Sequence, residues 1–252
     1  MSGALNYDPP GDLLREKIIL VTGAGSGLGR AAAVAYAHHG ATVLLLGRRE
    51  EALNDVYDEI ERRRLPQPAV LLLDLATAND NSFQELAVTL RQEFGRLDGV
   101  LHSAALGAQP LPLEHLAMET WDRLLRVNLT AGYALTRHCL PLLRAAAHAS
   151  VVFTTCAAGH GVRAYQGAYT IAKHGVENLV TLFHQELAST SRIRVNALDP
   201  GPCATSLRRV AFPAEDPAKL RQPAQLMAPY LYLMGDDSLG VSGQRLDTRQ
   251  ET

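Results

Sequence analysis

Residues 18–29, IILVTGAGSGLG, constrain this chain more than any other stretch. An apolar run of strand type enters a cluster with glycine at 23, 25, 27 and 29, and an alanine-rich helical run follows as far as Gly40. Strand, glycine turn and helix in that order make a backbone cradle for an anion. Glycine lets the chain turn sharply and approach a ligand closely, and the first helical turn presents N–H groups that no helix carbonyl accepts. The stretch predicts a pyrophosphate site built by Gly23, Gly25, Ser26, Gly27, Leu28 and Gly29.

Beyond it, short runs of Val, Leu and Ile alternate with longer segments of helical period. Strands are expected at 18–22, 42–46, 69–73, 99–102, 151–155 and 193–198, and helices near 28–39, 50–63, 80–94, 118–145, 168–189 and 223–235. Strands that are apolar throughout belong in a parallel sheet covered by helices on both faces. The rhythm predicts an α/β fold, a doubly wound, Rossmann-type parallel sheet of about seven strands in a single domain over 1–252. Residues 1–13 are expected as an extended N-terminal arm. Prolines at 200, 202, 213, 217 and 223 interrupt the rhythm, so 203–222 is expected as a substrate loop or lid, with Arg208–Arg209 attracting an anionic substrate.

A hydrophobic content of 47% allows a substantial core, and a net charge of −2 gives no footprint for nucleic acid. Cys139, Cys156 and Cys203 show no paired spacing, which fits a reducing compartment. The start, MSGALNYDPPGDLLREK, has neither the basic residues nor the apolar run of a leader, and no stretch approaches the ~20 apolar residues of a membrane helix. A cytoplasmic protein with no membrane or nucleic-acid partner is expected. The nine histidines lack ligand spacing, so no metal site is expected.

The second strand ends Leu45-Leu46-Gly47-Arg48-Arg49, where an adenosine ribose would follow a pyrophosphate cradle. An acid there selects the 2′-hydroxyl of NAD, whereas arginine suits a 2′-phosphate; Arg48 therefore favours NADP(H) over NAD(H). Arg49 is expected to open the next helix. Asp74-Leu75 either borders the adenine or, through the Asp74 carboxylate, caps a short turn. Asn128 shares a helix face with Trp121, Leu124 and Leu125, as a satisfied core amide or as a ligand group.

Tyr169 and Lys173 stand four apart at the start of an amphipathic helix and share a face. A cation beside a phenol favours the phenolate, so Lys173 is expected to lower the Tyr169 pKa.

Together these residues resemble the short-chain dehydrogenase/reductase family in its compact single-domain branch, over residues 14–247. Thr22 to Gly29 matches TGxxxGxG, Tyr169 to Lys173 matches YxxxK, and Asn128 matches the family's helix asparagine. Asn196, Pro200-Gly201 and Thr205 match a late segment whose threonine lies near the nicotinamide carboxamide. Residues 212–219 and 230–237 resemble a bacterial subgroup of oxidoreductases. Two positions depart from the pattern. Cys156 stands where the family carries a serine thirteen residues before the tyrosine, and a thiol is a weak donor. Ser103-Ala104-Ala105 replaces the family's Asn-Ala-Gly beside the cofactor.

The resemblance implies an NADP(H)-dependent oxidoreductase acting on a small-molecule carbonyl or alcohol. Tyr169 is then the acid/base, Lys173 its partner on the nicotinamide ribose, Asn128 a support for a water relay, and Cys156 the group orienting the carbonyl. A homodimer or homotetramer is implied likewise. The alternative expectation is a nucleotide-binding protein with little catalysis, a sensor or scaffold, because of Cys156.

Overall fold

The computed structural model describes residues 7–249; residues 1–6 of the expected N-terminal arm and residues 250–252 lie outside them. Seven strands form one sheet: β1 (Ile18–Thr22), β2 (Thr42–Gly47), β3 (Ala69–Leu72), β4 (Gly99–His102), β5 (Ala149–Thr154), β6 (Ile193–Asp199) and β7 (Arg245–Asp247). Their order is β3-β2-β1-β4-β5-β6-β7, and every pairing is parallel. Among the described residues eight α-helices connect or flank them: α1 (Gly27–His38), α2 (Glu50–Arg62), α3 (Asp80–Phe94), α4 (Met118–Leu125), α5 (Ala131–Arg144), α6 (Gly167–Leu187), α7 (Ser206–Ala211) and α8 (Met227–Met234).

The strands are apolar throughout because side chains on both faces meet helices. Ile19, Val21, Val43 and Leu45 point into a core with Tyr36 of α1 and Tyr230 of α8. The alternate residues Leu20, Leu44, Leu46 and Val100 point the other way, into a core with Phe83, Leu135 and Phe183. Each such side chain, fully buried, contributes about 1.5–3 kcal/mol over an exposed one. Strand order reverses between β1 and β4, and in an open α/β sheet the crevice at that point, outside the carboxyl ends of the strands, receives ligands.

The structure departs from expectation in four places. β7 has three residues, two of them charged, and no apolar run to reveal it. The helix expected over 118–145 is divided by a π-helical turn, Arg126–Thr130, at Asn128. The expected lid 203–222 is not a bare loop: α7 crosses it, Thr205 caps that helix by accepting from the Arg208 N–H at 3.2 Å, and Cys203 bridges to Arg221 at its base. The described part of the arm turns at residues 11–16 and packs down, with Tyr7 edge-on to Tyr232 at 5.4 Å and donating to Asp237.

Candidate active site

A cavity of about 900 Å³ opens along the carboxyl ends of the strands, at the switch between β1 and β4. The residues expected from the sequence to touch cofactor or substrate line it, except Asn128 and Arg209.

At one end lies the glycine cradle. Gly23 takes φ +68°, a conformation that side chains resist, and a Cβ there would stand 2.8 Å from the Ala104 backbone. Thr22 draws β1 and β4 together from beneath: its Oγ1 accepts from the Ser103 and Ala104 N–H groups, each at 3.1 Å. Ser26 precedes α1 without a side-chain cap, and the first turn holds no acid, so its N–H groups face the cavity uncompensated. The Ser103 hydroxyl is buried, without a hydrogen-bond partner.

Arg48 and Arg49 border the cavity beyond β2, both exposed, and Arg49 precedes α2 as expected. Among the described residues neither forms an ion pair, unlike Arg30 and Arg63 nearby, which share Glu59. Asp74 caps a turn, its Oδ1 accepting from Ala76 N–H at 3.0 Å, and the residue lines the cavity.

At the other end α6 brings Tyr169 and Lys173 together. Cys156, just past β5, places Sγ 3.6 Å from the Tyr169 hydroxyl. Lys173 is buried and donates to the Thr154 carbonyl at 2.9 Å, with Nζ 5.7 Å from the Tyr169 ring centre. Burial lowers its pKa, against the upward pull of Cys156, Asp199 and Glu177. The expected depression of the Tyr169 pKa is not found. Burial holds the phenol well above its ordinary value, reinforced by Cys156 and Asp199 and only offset by Arg208. The threonines beside Cys156 are engaged elsewhere: Thr154 Oγ1 meets the Tyr230 hydroxyl at 3.3 Å, and Thr155 Oγ1 donates to Glu177 at 2.9 Å.

Asn128 is buried and satisfied by backbone. Its Nδ2 donates to the Leu106 and Leu124 carbonyls at 2.9 Å, and Oδ1 accepts from Leu106 N–H at 3.0 Å. The amide thus pins the segment after β4 to the π-helical turn, a distortion frequent at functional sites.

The sequence reading missed the C-terminal contribution. Arg249 Nη2 lies 3.0 Å from Asp199 Oδ2 and 2.5 Å from Asp247 Oδ2, and His160 meets Arg245 at 3.1 Å and Arg249 at 3.2 Å. His160, Asp199 and Asp247 converge as metal ligands would, but the Arg249 guanidinium supplies the cation there. An arginine three residues from the end carried no pattern that could have placed it.

Arg208 was expected to draw an anion. It instead forks onto Glu215 at 2.6 and 2.7 Å, with its guanidinium 3.7 Å from the Phe212 ring centre, and Arg209 does not line the cavity. Cations still outnumber acids on the cavity wall: Arg48, Arg49, Arg123, Arg163 and Lys173 stand beside the ion-paired Arg208 and Arg249, against the carboxylates Asp74 and Asp199.

Comparison with known proteins shows the family. The family model described as short chain dehydrogenase matches residues 17–216. The oxidoreductase YciK of Escherichia coli K12 is 42% identical over 245 residues, 97% of this chain and 96% of its own length. A short-chain dehydrogenase from Escherichia coli CFT073, solved in complex with NADPH, superimposes with a TM-score of 0.92 at 42% identity, over 96% of this chain and 100% of that one. One from Shigella flexneri 2a, solved with NADP, gives 0.92 at 42% identity, over 95% and 100%. With the glycine cradle, the parallel sheet and the tyrosine–lysine pair in place, the chain belongs to the short-chain dehydrogenase family of oxidoreductases.

Proposed function

We propose that the protein is an NADP(H)-dependent oxidoreductase interconverting a carbonyl and an alcohol. One observation carries the reading: a phenol, a buried lysine and a thiol converge at one end of a cavity whose other end is a glycine cradle flanked by unpaired arginines. The residues fit a dinucleotide. A Cβ at Gly23 would meet backbone, the α1 N-terminus is uncapped, and the buried Ser103 hydroxyl has a bond to give. Gly23, Gly25, Ser26, Gly27, Leu28 and Gly29 would hold the pyrophosphate, Arg48 the 2′-phosphate, and Asp74 and Leu75 the adenine. Ser103, Ala104 and Lys173 would hold the nicotinamide ribose, and Pro200, Gly201 and Thr205 the carboxamide. Relatives solved with NADP and NADPH support this cofactor.

The bound nicotinamide supplies the hydride in reduction and accepts it in oxidation. Tyr169 gives its hydroxyl proton to the carbonyl oxygen in reduction and takes one from the alcohol in oxidation. Its raised pKa keeps the phenol protonated at neutral pH, the form that reduction needs. Lys173, anchored on the Thr154 carbonyl, is placed to stabilise the phenolate left behind. Asn128 holds the π-helical turn and supports the water relay that returns a proton. Cys156 orients the carbonyl with a weak S–H donor in place of a hydroxyl.

That weak donor also motivates a second reading, a nucleotide-binding sensor or scaffold with little turnover. Parallel titration with NADPH and NADH, followed by carbonyl turnover with wild type and Tyr169→Phe, separates the two: selective binding with Tyr169-dependent turnover supports the oxidoreductase, and selective binding without turnover the sensor. Exposed Tyr133 on α5 and Ile171 and Leu182 on α6 support pairing of two copies through those helices. Three free cysteines support a reducing, cytoplasmic setting, and among the described residues no helix is long and apolar enough to cross a membrane.

A further inference from the structure

The substrate end of the cavity has an uneven chemistry. Its walls at the mouth are apolar although they face solvent: Val162 is 88% exposed, Tyr165 59% and Leu111 39%, and all three line the cavity. On the same cavity α7 brings Leu207 over Gly107, with Phe212 just after the helix. Exposed apolar surface gathered at the rim of a cavity marks a ligand groove rather than ordinary surface. Tyr165 reinforces this point. It sits at φ +71°, where a bulky residue is strained, and its carbonyl accepts from Leu111 N–H at 2.9 Å, so the two walls are fastened together.

Arg123 and Arg163 line the cavity and are exposed, and neither forms an ion pair among the described residues. Arg208 is neutralised by its fork onto Glu215, and Arg249 by Asp199 and Asp247. Arg163 is exposed, lies with its guanidinium 5.3 Å from the Phe212 ring centre, and has no acidic partner among the described residues. A guanidinium resting on an aromatic ring is held in position while its N–H fork stays open to carboxylate or phosphate.

We propose that the substrate is an amphiphile: a carbonyl compound whose apolar body lies between Leu111, Val162, Tyr165, Leu207 and Phe212, and whose anionic end pairs with Arg163. This deepens the oxidoreductase reading and rests on it for the carbonyl. Carboxylate and phosphate share the chemistry that Arg163 recognises, and the source is decided by the probe that binds.

The test is calorimetric titration of the full-length protein, with and without NADPH, using octanoate, octyl phosphate and octan-1-ol. Octanoate or octyl phosphate should bind about tenfold more tightly than the alcohol, as one charge-assisted, partly exposed contact provides. Arg163→Gln should bring the anions to the level of the alcohol and leave the alcohol unchanged, while Phe212→Ala should weaken all three. Equal affinity for the anions and the alcohol, an unaltered preference in Arg163→Gln, or no binding of any probe would overturn the proposal. Failure of the octyl probes while NADPH binds removes this inference alone. Failure of NADPH while the anion preference persists removes the oxidoreductase reading instead.

Discussion

Cys156 Sγ lies 3.6 Å from the Tyr169 hydroxyl oxygen, in the cavity wall where the family carries a serine. The thiol is in contact with the proposed acid/base, and neither neighbouring threonine can take over, since both hydroxyls are bonded elsewhere. The weak point of the proposed reaction is therefore the strength of one donor.

Cys156→Ser should raise kcat in the reductive direction. Removing one preorganised donor costs ~10²–10³ in rate, so restoring a full hydroxyl is expected to return ~10–10² of it with little change in KM. Steady-state oxidation of NADPH with a panel of carbonyl compounds measures this. A kcat equal to or below wild type would show that the thiol is not the limiting donor.

Tyr169→Phe should lower kcat by ~10²–10⁴ while NADPH affinity stays within about twofold, because the lost hydroxyl acts on the proton and not on the nucleotide. The pH dependence has a definite sign. The phenol's raised pKa leaves it protonated through pH 9, so kcat for reduction should stay level from pH 6 to 9. Oxidation, which needs the base form, should rise over that range. A reduction rate that falls tenfold between pH 7 and 9 would contradict the assigned acid.

The sheet, its parallel sense and the glycine cradle were legible in the sequence because each is local: continuous Val/Leu/Ile runs, glycines between strand and helix, and helical periods at the right lengths. So were Tyr169, Lys173 and Arg48, whose place follows from the element that carries them. What escaped was long-range or geometric. β7 has no apolar run, and Arg249 reaches Asp199 across 50 positions of sequence. Asn128 read as a helix-face amide, but its work is done on backbone groups 22 residues away, across a π-helical turn that residue spacing does not encode. Lys173 failed as a predictor of the Tyr169 pKa because burial, invisible in a motif, dominates there, and the cation that opposes it is Arg208.

Stability should fall on acidification between pH 4 and 2 through Asp247. Burial alone would raise its pKa, but hydrogen bonds from Arg249 and Arg245 outweigh it and hold the carboxyl at about 2, against an ordinary 3.8. A depressed carboxylate stabilises the fold above its unfolded value, and the contribution disappears as pH drops through the folded one. Asp199 works in the opposite sense above pH 4, since burial raises it. Urea unfolding from pH 6 to 2.5 should show a shallower acid loss in Asp247→Asn than in wild type.

Arg194 on β6 is buried and donates to the carbonyls of Leu233, Gly235 and Ser238, closing the C-terminal end of α8. Arg194→Leu strands those acceptors and should cost about 3 kcal/mol, lowering Tm by roughly 6–12 °C. NADPH affinity measured below the new Tm should be unchanged, because the residue lies outside the cavity. A Tm within 2 °C of wild type would show that water or rearrangement replaces the guanidinium.

The most direct measurement is parallel fluorescence titration of the purified protein with NADPH and NADH, in wild type and Arg48→Ala. Arg48 meeting a 2′-phosphate is expected to make NADPH bind about 10–100-fold more tightly than NADH, and Arg48→Ala to abolish most of that preference without weakening NADH. Equal affinity for the two nucleotides in wild type would contradict the assignment of Arg48. Binding of neither would contradict the proposed role of the glycine cradle itself.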